Sequence, residues 1–350
     1  MMRSKTFIAT PPGATIKEQL VNRGMTQKEF ASRMDMSEKH ISHLINGEVQ
    51  LTSDVAMRLE LVLGIPAQFW NNLEMIYREK LIKAQAENEM DEDLEIIKKI
   101  PYNEMAKNGW VEATRNSKEK VFNSRKFFEV VHLGLVRRPL IPGIVCRKLG
   151  DGEKSDYAFI SWAQRAKLEA RNVSVNPINL KKLKDIIPNI RKMTMQDPSD
   201  FCQVLCEKLA GCGIAIIFLP HIGGSFLHGA TFYDGPKIVI GMTVRGKDAD
   251  RFWFSLFHEI GHIVLGHINQ SEGTTEQDEK AADVFARNIL IPDEQFEAFT
   301  SKGDFNRSSI VSFAEKVGID VGIVVGRLQK ELYIPFGWYK DLKTKYELTA

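Results

Sequence analysis

Apolar residues recur at helical spacing over much of this chain, and the breaks between runs carry helix caps and stops. Residues 15–24 (TIKEQLVNRG) read as a helix with Thr15 as N-cap, Glu18 three positions later and Gly24 as its stop. Residues 26–34 form a second helix, with Thr26 and Glu29 as a capping box and Phe30, Ala31 and Met34 as its apolar face. After a break at Asp35-Met36, Ser37 caps a third helix at 38–45, whose Ile41, Leu44 and Ile45 face inward before Asn46-Gly47. Helices at 53–63, ended by Gly64, and at 67–82 follow. The densest apolar segments lie in residues 201–350, among them a strand at 237–242 (KIVIGM) and a buried helix at 251–268 (RFWFSLFHEIGHIVLGHI). A further helix is expected at 277–290 (QDEKAADVFARNIL).

Length and composition narrow the class. The chain has 350 residues, room for two or three domains. It is 43% hydrophobic and 26% charged, which excludes a disordered tail, a collagen-like fibre and a disulfide scaffold. No stretch approaches the length of a membrane span, and Met1 to Phe7 contain no apolar signal-peptide core. Four cysteines, none in a C-x-x-C, fit a reducing compartment, so a cytoplasmic protein without a membrane partner is expected.

Charge is uneven although the net value is only +2. Residues 1–80 are close to neutral, with 10 Lys/Arg and 9 Asp/Glu. Residues 83–99 (KAQAENEMDEDLEIIKK) are acid-rich and read as a solvated helix end or linker. Residues 100–200 hold 19 Lys/Arg against 11 Asp/Glu, which suits a solvated helical surface or, alternatively, a phosphate-facing one. The Lys/Arg of 181–192 are expected on a solvated helix face, and Phe127-Phe128 with Val130 and Val131 in the core.

Two short helices joined by a tight turn have helix-turn-helix geometry, in which the second helix places side chains against base edges in the major groove. The outward residues of helix 38–45 are Glu38, Lys39, His40, Ser42 and His43; Ser37 and Gln27 stand at the starts of the two helices. All seven are candidate DNA contacts; the alternative is a helical bundle that binds protein. The segment MTQKEFASRMDMSEKHISHLINGEVQLTSDVAMRLELVLGIPAQFWNNLE resembles the repressor-type domain of HigA-like antitoxins, over roughly residues 10–80. The resemblance implies operator double-stranded DNA as partner, bound by a homodimer, often in autoregulation. With so little net charge here, phosphate neutralisation gives modest nonspecific affinity.

The apolar helix at 251–268 contains His258-Glu259-Ile260-Gly261-His262, an H-E-x-x-H. At i and i+4, His258 and His262 share a helix face and can reach one tetrahedral zinc. Glu259, one position round, can take a proton from water on the metal and pass it to a leaving amine. A metzincin would need His at 268, which is Ile; His267, just after Gly266, reads as a helix-end cap or surface group. Glu279 and Asp283, one turn apart on helix 277–290, supply a third ligand and a carboxylate to orient a ligand histidine, the gluzincin arrangement. Glu276 and Asp278 suit this less well, because Asp283 is not one turn from either. The alternatives are two satisfied core histidines or a metal-free descendant of such a site.

The stretch FWFSLFHEIGHIVLGH with EKAADVFARNILIP resembles the ImmA/IrrE family of zinc metallopeptidases. The likeness extends over roughly residues 200–335, with GIAIIFLPHIGGSFLHGATFYDGPKIVIG fitting the family's short strands and SIVSFAEKVGIDVGIVVGRLQKE its closing helices. Ala281 departs from the family, many of whose members have an acidic residue there. The resemblance implies cleavage of a helix-turn-helix repressor under stress or DNA damage.

The expected architecture is mainly α with a small β-sheet (α+β). It comprises a helix-turn-helix bundle at 1–82, a basic helical connector at 83–199 and a zincin-like, gluzincin-type domain at 200–350. Strand 237–242 could be an edge that receives substrate, or a core strand. His221, His228 and Tyr233 are candidate donors to the tetrahedral intermediate. Cys202, Cys206 and Cys212 read as buried or partly buried thiols. The function expected is a DNA-binding regulator with a zinc endopeptidase that cleaves a repressor or its own chain, within 83–99 in the second case. The rival is an antitoxin or autoregulator that holds a toxin, with a structural or sensory zinc site. A weaker third option is a peptidase of unfolded protein.

Overall fold

The computed structural model describes residues 2–4, 8–137, 153–223, 228–243, 248–270 and 274–346. Part of the expected connector (138–152, with Cys146) and, near the start, residues 1 and 5–7 therefore lie outside the described residues. The chain is mainly helical with one small three-stranded sheet and divides into two units, Met1–Glu95 and Ile96–Ala350. Among the described residues no helix is long and apolar enough to cross a membrane.

In the first unit, two-residue strands β1 (Met2–Arg3) and β2 (Ile8–Ala9) pair antiparallel, and five helices follow. Helix α1 is Pro12–Asn22, with Pro11 and not Thr15 at its N-cap position. Pro12 at the first helical position supplies the φ a helix needs, so no side-chain cap is required. Gly13 then lets α1 approach the next layer; a Cβ there would lie 2.0 Å from the Ile45 carbonyl oxygen.

Helices α2 (Gln27–Arg33) and α3 (Glu38–Asn46) start where Thr26 and Ser37 accept from the Glu29 and His40 amides. The capping box expected at Glu29 is half formed, because its carboxylate pairs with Arg33 one turn on. Asp35 adopts a left-handed φ of 52° in the turn between them. Left-handed glycines 47 and 64 end α3 and α4 (Ser53–Leu63). Phe30, Met34, Ile41, Leu44, Leu59 and Trp70 close the core. Helix α5 (Ala67–Ile96) is 30 residues long, so the acid-rich stretch is helix to Ile96 and the boundary expected at 82/83 falls inside it. Asp93 there is buried.

The second unit opens with α6 (Tyr102–Lys107) and α7 (Ser117–Phe128), where Phe127 and Phe128 are buried as expected but Val131 is exposed. Helices α8 (Glu153–Ala170), α9 (Leu180–Lys192) and α10 (Pro198–Ala210) lead to strands β3 (Ile214–Leu219), β4 (Gly229–Asp234) and β5 (Lys237–Thr243). Then come α11 (Ala249–Val264), α12 (Glu276–Leu290), α13 (Asp293–Thr300), α14 (Arg307–Val317) and α15 (Val321–Lys330). Leu183, Ile187 and Ile190 of α9 share one core with α10, the sheet, α11 and α12–α15. Arg191 is no solvated residue: it donates to the carbonyls of Leu290 and Val317, at the ends of α12 and α14. Burial of its guanidinium is thus compensated by carbonyls that the helix ends leave unpaired.

The sheet order is β3-β5-β4, with β3 parallel and β4 antiparallel to β5. Strand 237–242, which the sequence leaves as either an edge or a core strand, is the central strand, paired on both sides. Its side chains are buried on both faces, which fits its unbroken apolar run. The edge strand beside α11 is β4.

Candidate functional site

Helix α11 is apolar nearly all round, and Phe252, Trp253, Leu256, Phe257, Ile260 and Ile263 are buried. Glu259 and His262 are buried with them, and His258 is partly buried. Helix α12 packs directly across this face. Gly261 permits the approach, since a Cβ there would stand 3.0 Å from the Phe285 ring and 3.4 Å from the Ala282 Cα. Thr275 and Asp278 form a capping box at the start of α12, and Glu279 follows on its buried side.

The crossing brings His258, His262 and Glu279 together. The two Nε2 atoms are 2.9 Å apart. Glu279 Oε2 is 3.3 Å from His258 Nε2, and Oε1 is 3.5 Å from His262 Nε2. Ligands of a tetrahedral zinc stand about 3.3–3.6 Å apart, given bond lengths of about 2.0–2.2 Å. Thr274 donates to Glu279 Oε1 at 2.7 Å, whereas buried Oε2 makes no well-formed hydrogen bond and has His258 Nε2, at 3.3 Å, as its polar neighbour. Two imidazole nitrogens and an unsatisfied carboxylate oxygen, all aimed at one point, fit a divalent metal of zinc type.

Each group has a defined outer partner. His258 Nδ1 donates to Asp283 Oδ1 at 2.9 Å, the contact expected of a carboxylate one turn beyond Glu279. Burial disfavours the charged His258 ring, but acceptance by Asp283 and Glu279 and the nearby carboxylate charges outweigh it and raise its pKa to about 9. Burial and the His258 charge push His262 down to about 4. For Glu279 burial acts upward, but the bonds from His258 and Thr274 prevail and hold the carboxyl below its usual range. Burial raises Glu259 to about 7, against the opposing pull of His258 and of the Thr231 hydroxyl, which donates to its Oε2 at 2.5 Å. Gly229 faces the same carboxylate, and a Cβ there would be 2.8 Å from Oε1. Sequence reading missed Thr231 and Gly229, since they reach the site only through the pairing of β4 with β5.

His267 also departs from expectation. It is buried, not a surface group, and its Nδ1 lies 3.0 Å from Nδ1 of His262. Gly266, left-handed at φ 80°, turns the chain back so that the next residue returns to the helix face. Among the proposed donors, His228 directly precedes Gly229, and Tyr233 is at the far end of β4. His221 lies beyond β3, outside the regular elements. Cys202 and Cys206 are partly buried on α10 and Cys212 is buried; burial pushes all three thiols up.

In the first unit, Gln27, Ser37, Glu38 and Lys39 are exposed, and His40, Ser42 and His43 are partly so. They occupy the starts of α2 and α3 and the outer side of α3. Ser37 also caps α3, and His43 pairs with Glu48 past the end of that helix, which ties its ring to the protein.

Comparison with known proteins agrees with both halves. The helix-turn-helix family model matches residues 16–70, and the model described as the IrrE N-terminal-like domain, of a peptidase family, matches residues 225–329. An uncharacterized HTH-type transcriptional regulator, YddM, of Escherichia coli (strain K12) is 35% identical over 63 residues, which is 18% of this chain and 67% of that protein. A solved addiction module antidote protein of a HigA family from Coxiella burnetii aligns with 24% identity, over 24% of this chain and 92% of that one, at a TM-score of 0.22. The chain belongs to the helix-turn-helix regulators through its N-terminal domain, and its residues 225–329 are similar to the IrrE N-terminal-like domain of a peptidase family.

The raised His258 pKa has a sign that can be tested. In the metal-free chain His258 is protonated up to about pH 9, so a metal must displace that proton. Zinc uptake near neutral pH should release about one proton, and apparent affinity should rise with pH until His258 is neutral. Calorimetry in buffers of different ionisation enthalpy reads both; uptake without proton release would contradict this account of the site.

Proposed function

We propose that this chain is a DNA-binding transcriptional regulator whose C-terminal domain is a zinc-dependent endopeptidase. The observation that carries the reading is the convergence of His258, His262 and the orphaned Glu279 oxygen beside the buried carboxylate of Glu259. Zinc bound by those three residues would activate a water for attack on a peptide carbonyl. Glu259, with a pKa raised to about 7, is poised to accept a proton near neutral pH and to return it to the departing amine. The Thr231 hydroxyl fixes one oxygen of Glu259, and Gly229 leaves room beside the other. Asp283 orients His258. Of the three candidate donors, His228 adjoins Gly229, the residue of β4 that faces Glu259.

The substrate is an extended segment that can pair with the edge of β4, and a helix-turn-helix repressor, in trans or in this chain, is the proposed source. Self-cleavage within 83–96 would first require α5 to unwind, because a continuous helix offers no extended backbone. Substrate supplied by a partner is thus the simpler case. In the first unit, Gln27, Ser37, Glu38, Lys39, His40, Ser42 and His43 form the proposed reading face, used by a homodimer on two half-sites.

Two measurements test the halves separately. With the purified chain and candidate helix-turn-helix repressors, Glu259→Gln should keep its zinc and lose cleavage by about 10²–10⁴-fold, read by mass spectrometry. Cleavage that survives this substitution, or survives chelation of zinc, would refute the peptidase reading. On DNA from upstream of its own gene, Lys39→Ala should weaken binding across all sequences, whereas Ser42→Ala should weaken only the preferred one. Unchanged anisotropy titrations for both would refute the assigned face.

A further inference from the structure

The two imidazoles of the proposed zinc site are supported in different ways. His258 donates its Nδ1 proton to Asp283 directly. His262 has no carboxylate at that position; the partner of its Nδ1 is Nδ1 of His267, 3.0 Å away. Two ring nitrogens at that distance share one proton, so one ring donates and the other accepts. If His262 is to offer the Nε2 lone pair toward Glu279 and His258, its proton must sit on Nδ1. His267 must then accept through Nδ1 and carry its own proton on Nε2. The carboxylate on that side is Asp278, whose Oδ1 lies 3.4 Å from His267 Nε2, within ion-pair reach but longer than a well-formed hydrogen bond. Asp278 is itself held, since its other oxygen accepts from the Thr275 amide at 2.9 Å and the Thr275 hydroxyl at 2.6 Å.

We infer that His267 and Asp278 are positioning residues for His262, forming a His262–His267–Asp278 relay that fixes the tautomer and the ring plane of a metal ligand. The inference rests on the zinc reading above and deepens it. With the His262 proton on Nδ1, the order from the ligand outward is His262, His267 and then the Asp278 carboxylate. Both His262 and His267 are buried. The relay also links the two elements of the site. His267 follows α11, which carries two ligands, and Asp278 belongs to the capping box of α12, which carries the third. The orientation of His262 is thereby tied to the start of the helix that presents Glu279.

The test is zinc affinity by chelator competition, with the cobalt-substituted absorption spectrum as a second readout, both on the full chain. Loss of an outer partner of a metal-bound histidine weakens binding by about 10–100-fold. His267→Ala should show a loss of that size and altered cobalt bands. His267→Asn places an amide oxygen where Nδ1 stands and should recover most of the affinity, which a purely packing role would not predict. Asp278→Asn should weaken zinc in the wild-type background but have little effect beside His267→Asn, whose amide ends the relay. If His267→Ala does not fold, the Asn variants decide, and an Asp278→Asn effect equal in both backgrounds overturns the relay. Equal affinities for wild type and His267→Ala, with His262→Ala inactive in binding, overturn the relay and leave the zinc site standing. A wild-type chain that takes up no zinc overturns both.

Discussion

The close crossing of α11 and α12 is the constraint on which the second unit depends. It buries two imidazoles and two carboxylates among Phe, Trp, Leu and Ile side chains, where an uncompensated polar group is costly. The crossing is tolerated because nearly every polar atom has a defined place: Asp283 on His258, His267 on His262, Thr274 on Glu279, Thr231 on Glu259. The exception is Glu279 Oε2, buried with no well-formed hydrogen bond and only the long 3.3 Å approach of His258 Nε2. A buried carboxylate oxygen is seldom left in that state, and a cation between it and the two Nε2 atoms resolves the account.

The rest of the unit holds that crossing in place. Gly261 sets how near the helices come, and Arg191 clamps the end of α12 to the end of α14. Asp250, near the start of α11, pairs with Lys343, and Trp253 donates to the Tyr346 hydroxyl, so the C-terminal segment is fastened to the same helix. Strand β4 lies against the other side of Glu259. The carboxylate is therefore fixed between the helix that carries it and the edge strand β4. In the first unit the organising contact is different in kind: Gly13 against the Ile45 backbone seats α3 on α1 and leaves the outer side of α3 available.

Much of this was legible in the residues because the relations are local. His258 and His262 at i and i+4, and Glu279 and Asp283 at i and i+4, place their side chains by helical spacing alone, and the structure brings the four together. Thr26, Ser37, Gly47 and Gly64 mark helix ends by capping chemistry that is equally local. What was missed depends on relations that spacing does not encode. The place of His267 depends on the left-handed turn at Gly266, and read as a flanking residue it looks like a surface group. Strand order is set by long-range pairing, so β5 could not be told from an edge strand, and Thr231 and Gly229 had no reason to be connected with Glu259. The start of α1 was misplaced because Pro12 initiates a helix without a side-chain cap, whereas Thr15 offered a more familiar signal. The length of α5 was underestimated because an acid-rich, weakly patterned stretch reads as linker until Ala84, Asp93 and Ile96 are seen to be buried.

The central claim is that α11 and α12 together hold one zinc through His258, His262 and Glu279. X-ray absorption at the zinc edge of the full chain tests it most directly. The account predicts one zinc per chain in a shell of nitrogen and oxygen ligands at about 2.0–2.2 Å, two of them imidazoles and none a sulfur. A sulfur-containing shell, or a chain that holds no zinc when zinc is supplied, would contradict it.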